Sequence, residues 1–458
     1  MDAALINQVL WGFGGALLGA VIFSAVGLVA GTSETATVGT STLLVVFLGF
    51  PPIFIFTFCL AGLVAKHLIH SIPTALLGVP GDTLAVPLLE PCSTLRHFGL
   101  PHIALRKMIS AGVIASFLSI PISVGFAMVL APYAELVKAW SGPIFTVVTI
   151  GLSYSSAGRW GSIFLILPFA FFVQALNRVA IAQTGHGVMI CVFLGMAMGP
   201  LFVDLLAVLS PVTRGRAYTS EPKTFWIAPD LKTWSGYFPN PFKILTRKQL
   251  LYTLYTTVFS AVTFASSSVG ITVLTGEIVQ ARVKSFYEKL TTSVAIMNAA
   301  TEATYLCEIL IPLVAFGLPL SAVAMGAGFA LFNAPPIFTS SPVVHNLHNL
   351  LTPIQFLWGG LLAVSVAAVI AYPLAMNYAR KASVWAMRNI SQESLLAMFS
   401  GLLVVLSYFE ADGLGVVMAV LVGLISGIMS KYFGFNLGAQ YMAYFAAPWI
   451  VLQLIGMK

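Results

Sequence analysis

Ionisable side chains are scarce in this sequence, and the few inside apolar stretches are the ones whose chemistry needs explaining. A charge at mid-membrane costs about 2.5–3.5 kcal/mol on insertion scales. Asp82, Glu34, Glu302 and Glu308 therefore each need a partner or a task. Asp82 directly follows Pro80-Gly81, where a carboxylate would cap free backbone N–H groups or bind a coupling cation. Thr83 beside it, and Ser321 in the second half, carry hydroxyls that would donate to a solute carboxylate or act as caps. Glu34 stands in the Gly/Ser/Thr-rich run from Gly31 to Thr40. It reads as a proton carrier or sodium ligand beside exposed carbonyls, or as a surface loop residue. Asn298 precedes Glu302 by four residues and shares its helix face. With Glu308, these two lie on the approach to a second break.

Other chemically able residues read more plainly. Cys59, Cys92, Cys191 and Cys307 are scattered and never spaced C-x-x-C, so they are expected as small core residues without zinc or disulfide. His345 and His348 are three apart but lack acidic or cysteine neighbours, and a loop is their expected setting, as for His186 between two glycines. Asp204 reads as a helix-end residue, and Arg178 as snorkelling to an interface.

The elements that would position these groups are broken helices. Pro80 and Pro319 donate no backbone hydrogen bond and disfavour helix in the residue before them, while Gly78 and Gly317 admit conformations that other residues avoid. Opened backbone at membrane depth is tolerated only where protein or a water-filled cavity covers it. A half-helix starting after each break would turn N–H groups and a positive dipole end inward, which suits an anionic guest. Gly78, Pro80, Gly81, Asp82 and Thr83, with Gly317, Pro319, Ser321 and Asn298, are the expected solute-binding residues. Glu34, Asp82, Glu302 and Glu308 are the expected ion-coupling residues, for Na+ or H+; no other cofactor is expected.

Hydrophobic residues make up 59% of the 458-residue chain and charged residues only 8%, far below the roughly 25% of soluble domains. Helical spans are expected at Val9 to Val29, Ser41 to Val64, Ile109 to Leu130, Ile163 to Val179, Val188 to Leu209, Leu250 to Ser266, Pro353 to Met376, Leu395 to Phe409, Gly413 to Met429 and Tyr441 to Ile455. The first stretch lacks a basic flank and a small-residue cleavage site, so it is expected to be retained. Basic residues gather in connections: Arg96, Arg106 and Lys107 in one, and seven between Thr213 and Gln249 in another. That asymmetry places both in the cytoplasm with lipid head groups as neighbours. No nucleic-acid module is present in the pattern.

The two halves share punctuation. Ile72-Pro73 to Ala85 lies without gaps on Ile311-Pro312 to Ala324, both reading I-P-x4-G-x-P-x4-A, and Gly31 falls on Gly270 at the same offset. Each half runs as an apolar helix, a Gly/Ser/Thr-rich interruption (Gly31 to Thr40; Ser266 to Gly276), another helix and a break. The expected class is an all-α polytopic membrane protein of two repeated halves, each with a hairpin-like segment and a broken helix. The first half is 1–212, the basic connection 213–249 and the second half 250–458. Whether the halves are inverted or parallel is open at this point.

At these residues the chain resembles the large membrane subunit of tripartite tricarboxylate transporters. That family carries a proline-glycine break followed by small and hydroxyl residues in both halves, like Gly78-Val79-Pro80-Gly81-Asp82-Thr83 and Gly317-Leu318-Pro319-Leu320-Ser321 here. The likeness continues through Leu89-Glu90-Pro91-Cys92 and Arg96-His97-Phe98-Gly99. The chain departs from the family at Ala30 to Thr35, at Asn298 to Ala303 and at Leu320. The resemblance implies uptake driven by a sodium or proton gradient across the inner membrane, with a small membrane subunit and an extracytoplasmic binding protein as partners. A homodimer and an elevator-type motion are further expectations.

A secondary carrier for a small organic anion is thus the leading expectation, with a channel or lipid flippase as alternative. A membrane-embedded enzyme is disfavoured, since neither H-E-x-x-H nor G-x-S-x-G occurs. No G-K-[ST] phosphate loop occurs either, which argues against direct use of ATP.

Overall fold

Backbone polar groups in hydrocarbon must be satisfied within their own segment, so long apolar runs resolve into helices. The computed structural model describes residues 3–81, 83–185, 187–211, 227, 236–266, 268–332, 346–390 and 392–456. Asp82, His186, His345 and most of the 213–249 connection lie outside the described residues.

The first half contains α1 (Ala3–Val26), a π-helical turn Thr35–Gly39 leading into α2 (Thr40–Phe47), and α3 (Pro52–Ile72) with a π turn Pro73–Leu77. After the first break come a 3-10 turn Thr83–Leu88, α4 (Leu89–His97), α5 (Pro101–Leu130), α6 (Ala134–Ala139), α7 (Ser141–Ser155), α8 (Trp160–Thr184) and α9 (Met189–Leu209). Then follow α10 (Pro241–Ile244), α11 (Arg247–Val262), α12 (Ser268–Arg282) and α13 (Phe286–Ala315). Beyond the second break lie α14 (Ala322–Met325), α15 (Phe329–Phe332), α16 (Leu347–Leu350), α17 (Pro353–Asn389), α18 (Gln392–Phe433) and α19 (Leu437–Ile455). Among the described residues eight helices are long and apolar enough to cross a membrane, and no strand occurs. The protein is an all-α polytopic membrane protein.

Several sequence expectations need correction. The span expected at Ser41 to Val64 is two helices, because Gly49 takes φ 75° and Pro51-Pro52 ends one helix and starts the next. Consequently α3 runs on past Val64 to Ile72. Arg106 and Lys107 are not in a connection, since Pro101 opens α5 ahead of them. Arg106 is buried, and the Lys107 ammonium donates to the Ile244 carbonyl and to Gln249 Oε1. The interruption expected at Ser266 to Gly276 is shorter, because α12 begins at Ser268, and that at Gly31 to Thr40 closes into the π turn at Thr35. Asp204 lies inside α9 and pairs with Lys431 of α18 rather than ending a helix.

The helix α18 folds back on itself. Ala411 and Asp412 leave helical geometry (φ −152° and 48°), and a Cβ placed on Gly415 would strike the Ser407 carbonyl. In a straight helix those residues would be about 12 Å apart. The two limbs correspond to the spans expected at Leu395 to Phe409 and Gly413 to Met429. Glu410 at the turn accepts hydrogen bonds from the N–H groups of Ile190 (2.9 Å) and Cys191 (2.5 Å), the first turn of α9.

At the centre stand α3 and α13: every residue from Ile53 to Ile72 and from Thr291 to Ala315 is buried. Within the halves, α1 packs on α3, and α11 and α12 pack on α13. Between them, α17 lies along α3 and α5 along α13, while α9 packs on α18 and α19 on α7 and α8. Small residues allow the closest approach: Gly195 and Gly199 of α9 meet Gly423 and Gly427 of α18, backbone against backbone.

Candidate functional site

Both central helices open in the same way. The π turn after α3 ends at Gly78 (φ 71°), whose N–H donates to the Pro73 carbonyl. α13 ends at Gly317 (φ 64°), whose N–H donates to the Pro312 carbonyl at 2.9 Å. The I-P-x4-G spacing is thus the spacing of a closing hydrogen bond, and the left-handed backbone explains the glycine. After the first break the 3-10 turn Thr83–Leu88 runs straight into α4 (Leu89–His97), whereas after the second only the short turn Ala322–Met325 follows. The expected half-helix thus follows the first break but not the second, where individual N–H groups and hydroxyls carry the local polarity.

The first break is tied to the end of the first hairpin. Gly31 N–H donates to the Gly81 carbonyl (2.8 Å), and Gly81 N–H donates to Thr74 Oγ1 (3.2 Å). Gly81 also sits against His70, leaving no room for a Cβ. Arg96 of α4 lays its guanidinium over Gly78. The second break is held by Asn346, whose Nδ2 donates to the Gly317 carbonyl at 2.8 Å, and by His348, whose Nδ1 lies 3.0 Å from the Leu313 carbonyl. Ser321 accepts from Ala324 N–H (3.0 Å) and donates to the Glu308 carbonyl oxygen (3.1 Å). The Glu308 carboxylate is turned toward Ser321, Val323 N–H and Ser268. Thr35, at the start of the first π turn, packs against Gly326 beyond the second break, so the first hairpin touches the continuation of both breaks.

Between the openings lies a buried charged cluster. Lys66 Nζ is 2.6 Å from Glu34 Oε1 and 2.5 Å from the Thr32 carbonyl oxygen. His67 Nε2 is 3.8 Å from the same Glu34 oxygen, and its Nδ1 is 3.4 Å from Glu302 Oε2. His70 Nδ1 is 3.9 Å from Glu34 Oε1, and Tyr305 sets its ring edge-on to His67 at 4.5 Å. Ser116 Oγ of α5 reaches Glu302 at 3.5 Å. Asn298 accepts from Ser71 Oγ (3.3 Å) and donates to the Met108 carbonyl (3.0 Å), clamping α3, α5 and α13 together.

The structure therefore brings Glu34, Glu302 and Asn298 to α3 near the first break, and Glu308 and Ser321 to the second. Asp82 lies outside the described residues, as does the side chain of Thr83. Lys66, His67 and His70 were not singled out from the sequence. Their signal was present, three ionisable residues spaced i, i+1 and i+4 in an apolar stretch. The expected span ended at Val64, two residues short of Lys66, whereas α3 carries on to Ile72. All four cysteines are buried and free.

Two central helices that open at matched glycines, with carboxylates, an ammonium, imidazoles and hydroxyls buried around the openings, define a polytopic helical membrane protein with an internal polar site. A family model, the Tripartite tricarboxylate transporter TctA family, matches residues 13–439, and the chain belongs to that family. It is a multi-pass member of a transporter family and not an enzyme; that family works in tripartite systems with a binding protein and a small subunit. No curated protein and no solved structure matches the chain.

Proposed function

We propose that this chain is a secondary active transporter taking up a small organic anion, a carboxylate, by alternating access driven by a sodium or proton gradient. The observation that carries the reading is the pair of opened helices, each closed by a Gly N–H to Pro carbonyl bond, in the buried centre of the fold. Irregular backbone at membrane depth is the recurrent setting of solute and ion sites in such carriers. The solute would lie between Gly78 to Thr83 and Gly317 to Ser321, with Asn298 beside it, and Glu34, Asp82, Glu302 and Glu308 would serve the coupling ion.

Packing supports two repeated halves. The turn after the first break lies on α12 of the second hairpin, and α15 after the second break lies on α2 of the first. The exchange of α5 onto α13 and α17 onto α3 follows the same rule. An elevator-type movement of the broken helices, an inner-membrane location, a homodimer, and a binding protein and small subunit as partners complete the proposal.

Thermal melting of the purified chain against citrate, succinate, glutamate and sucrose tests it. A ligand bound only by the folded state raises the melting temperature with its concentration. We expect a carboxylate-specific rise, lost in Ser321→Ala and Asp82→Ala. A rise with sucrose equal to that with citrate would remove the anion assignment.

A further inference from the structure

The side chain of Lys66 is wholly buried in α3, and its ammonium is held by the Glu34 carboxylate and the Thr32 carbonyl. A carbonyl from an unwound helix end, joined by a carboxylate, is the donor set a secondary transporter offers to a coupling sodium ion. Thr32 is at such an end: α1 stops at Val26, Gly31 takes φ 79°, and the Thr32 hydroxyl donates back to the Val29 carbonyl at 3.1 Å. Glu34 immediately precedes the π turn that begins at Thr35. The position is thus formed by opened backbone plus one acid, and a monovalent cation already fills it.

We infer that the Lys66 ammonium is a tethered cation standing where a coupling sodium ion would bind, so that the first half of this chain binds no sodium at Glu34. The inference rests on the proposed gradient-driven transport and narrows it. An ammonium is a compact point charge with three donors and no acceptor. Anchored to α3, it cannot leave with each cycle as a sodium ion would.

That cation is fixed among other ionisable side chains. Among the described residues, the titratable groups at the cluster include Lys66, His67 and His70 from α3, Glu34 from the first hairpin, and Glu302 and Tyr305 from α13, with the Ser116 hydroxyl of α5 beside Glu302.

The test uses the purified full chain without any cargo, comparing melting in sodium chloride and potassium chloride at equal ionic strength. Lys66→Met leaves the Glu34 carboxylate and Thr32 carbonyl without their cation. We expect this variant to gain a sodium-over-potassium rise of a few degrees that exceeds the wild-type difference. The double variant Lys66→Met/Glu34→Gln, which has neither charge, should lose that gain. Equal salt differences in wild type and Lys66→Met would overturn the inference. So would a Lys66→Met chain that folds in neither salt while the double variant folds in both, since sodium would then not replace the ammonium. Because no solute is present, failure here leaves the carboxylate melting assay unaffected, and failure of that assay leaves this one interpretable.

Discussion

Lys66 and Glu34 are both buried, so removing either leaves the other charge stranded in protein. Breaking such a pair costs about 3–5 kcal/mol, whereas replacing both partners with neutral groups of similar volume is often near neutral. A double-mutant cycle of Lys66→Met and Glu34→Gln in potassium salt should therefore show single losses of about that size and a double variant close to wild type in chemical unfolding. His67 lies between Glu34 and Glu302. Cys92 on α4 gives a control outside the spans, its thiol pushed by burial up to about 12, so that below that pH it stays protonated and slow to react with maleimide. At this scale the sequence singled out Glu34 and Glu302 through their cost in hydrocarbon and Asn298 through its place on the Glu302 helix face, and all three lie against α3. Lys66, His67 and His70 escaped because their membership of a span depended on where α3 began.

That beginning is a matter of elements. A double proline after Gly49 both stops α2 and starts α3, and hydropathy alone runs straight across it because every flanking residue is apolar. The breaks were more legible, since I-P-x4-G encodes a hydrogen bond from glycine to proline carbonyl. Gly78 allows a direct check. Gly78→Ala would force a left-handed alanine and drive its methyl into the Arg96 guanidinium, a strain of about 1–3 kcal/mol readable as a lowered melting temperature. The glycines joining α9 and α18 offer a second. A side chain at Gly427 would meet the backbone of Gly199, so Gly427→Val should separate the helices and lower stability more than Gly401→Val, where nothing lies nearby. Periodicity could not reveal this contact, because the glycine pairs belong to different halves and their meeting is set by tertiary packing.

For the whole molecule, each half covers its central helix only in part and the halves also exchange partners: besides α1 on α3 and α11 and α12 on α13, α17 lies on α3, α5 on α13 and α18 on α9. Separately expressed segments 1–230 and 231–458 should each be unstable, while co-expression should recover a complex that purifies as one species; stable isolated halves would contradict the packing. The duplicated punctuation was readable along the chain, but the exchange was not, because no local pattern records which distant helix covers a buried face. The exchange also has a consequence during synthesis. At roughly 5–20 residues per second, about 15–60 s separate the emergence of α3 from that of α17. Throughout that interval a helix carrying Lys66, His67 and His70 resides in the nascent membrane without its lid. Its counter-charge Glu34, made earlier in the same half, is already at hand. The pair that fixes the site in the finished protein is also the one that can shelter this helix while the ribosome is still working.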